Sequence, residues 1–418
     1  MTVKNFDTIK VNPEWSFTNV RSTEQWTHGY HRYPAKFLPN VVKKLIETYA
    51  IDNGKIADVF AGCGTTLVEA KAHGIKSVGI DINPVAQLIT KAKTKPILPS
   101  ILNTQYQELA TSFSQYDASE YENIELHDRI DYWFRQEEKK KIAFLYERIL
   151  SIYQEDIRNF FLVCLSHILK NCSRWLMSGT KPQVDPNKTP ADPFQIFQLH
   201  CKKMMTKNGL FYDELSKNKY LDVPCEIKLA DARHTKIRAN SIGTIITSPP
   251  YVTSYEYADI HQLTAYWYEY ISSLPEFRKS FIGTFYSRNQ DTNCNSEKAQ
   301  RIVNELLEKD NRTAKEVANY FNDMDAVGKE MYRIVKKNGH ICIVIGNTTV
   351  KDVKINSAEV FHEILENAGF KEKEIIKRSI PNKLMPTIRD KKTGQFSKKN
   401  NENSKMVYPE EYILILKK

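Results

Sequence analysis

The sequence predicts a doubly wound α/β core, a mostly parallel sheet with helices on both faces, interrupted by two mainly helical insertions. Three observations carry that expectation. Residues 56–93, "IADVFAGCGTTLVEAKAHGIKSVGIDINPVAQLITKAK", read as strand, Gly-rich loop, helix, short strand, acidic end and helix, which is a βαβ unit with a right-handed crossover. Short apolar strands resume far downstream at "CEIKLADARH" and "GTIITSPPY". The C-terminal part then adds "GHICIVIGN", "KEIIKRSIP" and "EEYILILKK", a strand followed by a hairpin-like pair.

Taken in order, residues 40–50, "NVVKKLIETYA", space their apolar side chains as an amphipathic helix does. The βαβ segment follows the turn "DNGK", so residues 1–96 form an N-terminal segment plus the first half of the core. Residues 97–220 change character. "RIDYWFRQEEKKKIAFLYERILSIYQEDIRNFFLVCLSHILKNCSRWL" is nearly continuous helical pattern, followed by the Pro-rich "MSGTKPQVDPNKTPADPF" and another helical piece. The Trp133, Phe134 and Trp175 neighbourhood belongs to the core of this insertion. Residues 221–251 return to core strands, and 252–337 form a second helical insertion. After the turn Lys337-Asn338-Gly339, residues 338–418 supply the last strands around a basic loop, 389–405, which carries Arg389, Lys391, Lys392, Lys398, Lys399 and Lys405. That loop is either a phosphate contact or simply solvated.

The 418 residues are 41% hydrophobic and 26% charged, an ordinary globular composition. Lys and Arg exceed Asp and Glu by 60 to 50, for a formal charge of +10, which favours a polyanionic partner. No run of about 18 uncharged apolar residues offers a membrane span, and the first residues lack the apolar centre of a signal peptide. Cys63, Cys164, Cys172, Cys201, Cys225, Cys294 and Cys342 are scattered and never form a CxxC pair. Reduced thiols, a cytoplasmic location and no metal site are expected.

"DVFAGCGTT", Asp58 to Thr66, lies where a strand meets a helix, and Gly62 and Gly64 let a ligand approach the main chain. Packing alone also produces such a turn. No GKS or GKT follows, which argues against a phosphate-gripping loop, and Leu67 occupies the place of the third glycine of a dinucleotide fingerprint. Asp81 ends the next strand, where it either accepts both hydroxyls of a ribose or caps the helix that starts at Pro84. A nucleoside without a pyrophosphate suits this pattern, and S-adenosyl-L-methionine fits.

The strand Ile242–Thr247 stops at Ser248-Pro249-Pro250-Tyr251, where two prolines forbid further ladder hydrogen bonds. Asp58–Thr66 together with Ser248–Tyr251 resembles the amino-methyltransferases of DNA, in particular the bacterial enzymes carrying SPPY. "HGYHRYPAKF" (28–37), "YADIHQLTAYWYEY" and "FRKSFIGT" are similar to segments of the same family. The similarity covers about 28–90, 225–350 and the last strand, with 97–220 matching loosely. It implies a Rossmann-like methyltransferase sheet, with 97–220 as candidate target-recognition region and 252–337 as its competitor.

The resemblance also implies roles. Ser248 Oγ and the Pro249 carbonyl accept the N–H groups of an exocyclic amine, with Pro250 stiffening the turn and Tyr251 stacking on an extruded base. Tyr33, Pro34, Asp58, Phe60, Ala61, Gly62, Gly64, Thr65, Thr66, Asp81, Ile82, Asp231 and Ala232 border the cofactor. Within that set Asp58 faces the methionine ammonium and Asp231 the adenine amine, unless Asp231 only closes a local Asx-turn. Lys36 meets either the cofactor carboxylate or a DNA phosphate.

Serine at 248 favours cytosine N4, because adenine-N6 members mostly carry Asp or Asn there. The implied partners are double-stranded DNA and a cognate restriction endonuclease, with no membrane and no metal. An adenine-N6 enzyme, an RNA base-amine methyltransferase and a catalytically silent nucleic-acid binder are the competing readings. Pro224-Cys225 imitates the Pro-Cys nucleophile of cytosine-C5 enzymes one element too early, so Cys225 is expected to be a buried thiol.

Overall fold

Eleven strands occur among the described residues: β1 (Ile56–Asp58), β2 (Ser77–Asp81), β3 (Cys225–Leu229), β4 (Ile242–Thr247), β5 (Val335–Ile345), β6 (Thr348–Val350), β7 (Val353–Ile355), β8 (Lys371–Ser379), β9 (Ile388–Asp390), β10 (Ser404–Met406) and β11 (Glu410–Lys417). The structure, a computed structural model, describes residues 6–18, 24–177, 182–252, 256–284, 291–380, 388–390, 404–406 and 410–418. One sheet runs β3-β2-β1-β4-β5-β11-β8. The first five strands are mutually parallel, and β11 is antiparallel to both its neighbours. This is the doubly wound sheet with a C-terminal hairpin that the sequence predicts.

The inner strands β1, β2, β4 and β11 are buried on both faces and read as apolar runs, whereas the edge strands β3 and β8 are partly exposed and carry charged residues. Alternate side chains sort by face. Ile245, Ile341, Ile343, Ile345, Leu414 and Leu416 pack with the helices Glu297–Leu307, Asn311–Ile334 and Ser357–Asn367. Ile246, Cys342, Val344, Ile413 and Ile415 pack on the other side with Val41, Val42, Leu45 and Ile46 of the helix Pro39–Tyr49. Each fully buried aliphatic contributes on the order of 1.5–3 kcal/mol.

A separate core belongs to the helices Pro99–Ser112, Asp128–Trp133, Gln136–Leu150, Glu155–Cys172 and Pro193–Asn218. Trp133, Phe134 and Trp175 are buried in it, as expected. It is fused to the sheet through the helix Pro84–Thr94, whose Val85, Leu88, Ile89 and Ala92 belong to this same core. The stretch 252–337 serves two places. Ala258, Leu263, Tyr266, Trp267 and Leu274 join the helical core, whereas the helices from Glu297 to Ile334 cover the sheet.

β9 and β10 pair antiparallel, with Lys405 opposite Arg389, while positions 391–403 of the basic loop lie outside the described residues. No described helix is long and apolar enough to cross a membrane.

Candidate active site

The chain winds outward from β1 to β2 and β3 on one side and from β4 to β5 on the other, so strand order reverses between β1 and β4. Loops leaving the carboxyl ends of these two strands diverge and open a crevice at that point. One cavity fills it, with about 1150 Å³ of empty space counted out to the open mouth, room for a ligand of nucleoside size and more. The loop Phe60–Cys63, Asp81 and Ile82 after β2, Ala230–Ala232 after β3, and Ser248, Pro250 and Tyr251 after β4 all border it. Tyr33, Lys36 and Phe37 close one side, and Tyr257 with 281–284 another.

The glycine loop owes its shape to two left-handed residues, Gly62 at φ +49° and Gly64 at φ +76°. A Cβ on Gly64 would stand 2.7 Å from the Thr90 side chain. The helix Pro84–Thr94 holds the loop from behind: Thr90 Oγ1 donates to the Gly62 carbonyl (3.1 Å) and Lys93 Nζ to the Cys63 carbonyl (2.6 Å). Lys93 is 1% exposed, so its ammonium is committed to that contact.

Two carboxylates stand at the loop. Asp58 accepts from Thr247 Oγ1 (2.6 Å) and from the Phe60 amide (3.1 Å). Asp81 accepts from the Gly62 amide and the Asn83 amide, both at 2.8 Å. Burial pushes each carboxyl up to about 6, against the pull of these donors. The helix cap before Pro84 is Asn83, whose side chain accepts from Val85 N (3.0 Å), so Asp81 is not the cap. Asp231 does close an Asx-turn, accepting from the Arg233 amide (2.8 Å), and its carboxylate is also clamped by the Arg233 guanidinium, which reaches on to Asp323 (2.7 Å).

At the catalytic turn, Ser248 Oγ donates to the Val344 carbonyl at 3.1 Å. A hydroxyl has one proton, so its lone pairs remain for a donor arriving from the cavity. Tyr251 places its ring against Gly346 and donates its hydroxyl to Glu411 (2.9 Å), itself paired with the buried Arg378. Burial and the Glu411 charge push the Tyr251 phenol well up, which keeps it a neutral donor.

Most of the sequence-predicted site residues therefore meet in one place. Pro34, Gly64, Thr66 and Pro249 do not border the cavity. Gly64 faces Thr90, and Thr66 is buried, donating to the Ile246 carbonyl (3.4 Å). Cys225 stands at the start of β3, accepting from Ser77 Oγ (3.2 Å) away from the cavity. Sequence reasoning missed Phe37, Cys63, Tyr257 and Phe281, although all four lie in segments already singled out. It also missed Lys93, Arg233, Arg378 and Glu411, which act from behind the lining.

A sequence profile described as DNA methylase, of the N6/N4 class, matches residues 3–92 and 242–418. The chain belongs to the N6/N4 DNA methylases. The stretch that this profile skips holds most of the helical core. The Type II methyltransferase M.MvaI of Kocuria varians is 28% identical over 97% of this chain and 94% of its own length. The Type II methyltransferase M.BsoBI of Geobacillus stearothermophilus is 25% identical over 57% of this chain and 52% of its own. Among solved structures, a SAM-dependent methyltransferase of Methanosarcina mazei is 9% identical, covering 93% of this chain and 98% of that one with a TM-score of 0.31.

This DNA methylase is an S-adenosylmethionine-dependent DNA amino-methyltransferase. Its cavity fits that cofactor. Asp58 and Asp81, both pushed up to about 6 by burial, form no ion pair among the described residues, and the cofactor's ammonium and ribose would give them a positive and a hydroxylic partner.

Proposed function

We propose that the enzyme methylates the exocyclic N4 of a cytosine extruded from a specific sequence in double-stranded DNA, as the modification half of a restriction-modification pair. The observation that carries this reading is Ser248: its hydroxyl spends its proton on the Val344 carbonyl and turns acceptor lone pairs to the cavity it shares with the glycine loop. The name Type II methyltransferase borne by the relatives supports a modification role.

The N4 amine is a poor nucleophile, because its lone pair is delocalised into the ring. Ser248 Oγ accepts one of its N–H groups, which turns the amine's lone pair away from that contact and fixes its approach. S-adenosylmethionine supplies the electrophilic methyl group. Asp81 takes ribose hydroxyls on the lone pairs that Gly62 and Asn83 leave unused, and Asp58 takes the methionine ammonium. Tyr251 stacks on the base with its ring orientation held through Glu411, which offsets part of the few kcal/mol that extrusion costs.

The test is methyl transfer from labelled cofactor to duplex DNA and, in parallel, to total tRNA, followed by analysis of the modified base. Label in duplex DNA as N4-methylcytosine is the expected result. N6-methyladenine would move the assignment to adenine, and label confined to tRNA would overturn it.

A further inference from the structure

Arg32 precedes Tyr33, a wall of the cavity, and is itself exposed, so the cavity's edge and the protein surface meet at this residue. Its backbone N–H donates to His167 Nδ1 (3.3 Å), and the His167 ring stacks on that of His200 with centroids 3.6 Å apart. His31 adds an edge-on contact at 5.5 Å. Burial and the surrounding cations push all three imidazoles below their ordinary value, so they pack as neutral spacers. They tie the Arg32 segment to the helices Glu155–Cys172 and Pro193–Asn218.

Those spacers set the positions of further cations. Lys170 follows His167 by three residues and Lys203 follows His200 by three, so each shares its histidine's helix face. Lys188 Nζ donates to the carbonyls of Lys170 (2.6 Å) and Trp175 (2.9 Å), and Lys170 Nζ lies 4.4 Å over the Trp175 ring. Among the described residues none of the four cations forms an ion pair. Asp185 and Glu24 are the carboxylates whose fields reach the patch, at Lys188 and His200. Lys170 is pushed down to about 8 by its burial and then by the charges of Arg32 and Lys188. The Lys170 charge also reaches His261, whose ring lies 5.0 Å from that of Tyr33.

Like charges held together without counterions repel one another, and a run of phosphates would relieve that repulsion while bringing its own attraction. A small anion would not need four cations strung over two helices and two loops. We infer that Arg32, Lys170, Lys188 and Lys203 form a docking track for the phosphodiester backbone of duplex DNA beside the cavity mouth. This rests on the reading that the base enters the cavity from a duplex. The track grips phosphate irrespective of sequence, and it places the backbone against the helical core.

The experiment is salt-dependent binding of a random-sequence DNA duplex to the full chain, wild type against Arg32→Ala, Lys203→Ala and the four-fold alanine variant. Arg301→Ala, at an exposed helix on the opposite cover of the sheet, is the control. Every phosphate-binding cation removed should lower the slope of log K against log salt by about 0.9, with the four-fold variant lowest and cofactor affinity unchanged in every variant. Cofactor binding also reports that each variant is folded. An unaltered slope in the four-fold variant, or an equal fall for Arg301→Ala, would overturn the track. So would a loss of binding to tRNA with none to duplex DNA. The identity of the methylated base in wild-type product is a separate measurement, so an error in the base assignment would leave this result readable.

Discussion

Ser248 carries the reaction through one atom, and an alanine in its place removes that atom without touching the two prolines that shape the turn. Ser248→Ala should lower kcat by about 10²-fold or more, because the amine loses its positioned acceptor and with it a fixed approach. The cofactor dissociation constant should not change, since Gly62, Asp58 and Asp81 are untouched; steady-state kinetics beside calorimetric titration read the two separately. A second residue-scale prediction concerns pH. The Asp58 and Asp81 carboxyls sit at about 6 in the folded chain, above the ordinary carboxylate range. The folded protein therefore keeps protons that the unfolded chain has released, so these groups make the free protein less stable as pH rises from about 4 to about 6. Cofactor binding runs the other way because it needs both carboxylates charged. Affinity should rise with pH up to about 6 and level above it, by about tenfold per pH unit for each proton displaced below that point. Calorimetry across this range checks the slope, and Asp58→Asn should roughly halve it, leaving the contribution of Asp81.

The glycine loop and the helix Pro84–Thr94 behave as one element pair. Gly64→Ala would set a side chain at φ +76° and drive it against Thr90, for a cost of roughly 1–3 kcal/mol and weaker cofactor binding. Adding Thr90→Ala should restore only part of the loss, because it relieves the contact and leaves the backbone strained; thermal melts of the single and double variants decide this. The sequence made these elements readable for a physical reason. β1, β2, β4 and β5 are buried on both faces, so they stand out as apolar runs between Gly and Pro signals. The Ser248–Tyr251 turn was readable because proline cannot continue a central strand. What escaped is nonlocal. Lys93 reads as the solvated end of a helix until the fold brings the Cys63 carbonyl to it. Glu411 meets Tyr251 across 160 residues, and no pattern near either position announces the pair. The division of 252–337 between two cores was hidden for a similar reason: both parts are amphipathic helix, and periodicity does not say which partner an apolar face will meet.

At the scale of the whole molecule, the cavity joins two cores that are separate in composition. Tyr33 packs on the helical core, and Phe60 and Tyr251 pack on the core at one face of the sheet. The helix Pro84–Thr94 belongs to the helical core and lies against β2 and β3, so it is the beam that ties that core to the sheet. A ligand touching both sides must stabilise both, and at a hundred times its dissociation constant the cofactor adds about 2.7 kcal/mol. Tryptophans report the two parts independently: Trp133, Trp175 and Trp267 lie in the helical core, and Trp15 packs with the helix Pro39–Tyr49 on the far face of the sheet. Single-tryptophan variants should therefore melt together, and cofactor should move every probe upward by the same amount. Leu88→Ala cuts into the beam where Leu88 is 4% exposed, and the cavity left behind should cost about 2–5 kcal/mol. If the beam carries the coupling, that variant lowers the melt at Trp15 as well as at Trp133. A Trp15 transition that stays in place while the helical core melts early would mean that the cores are held together at the cavity alone.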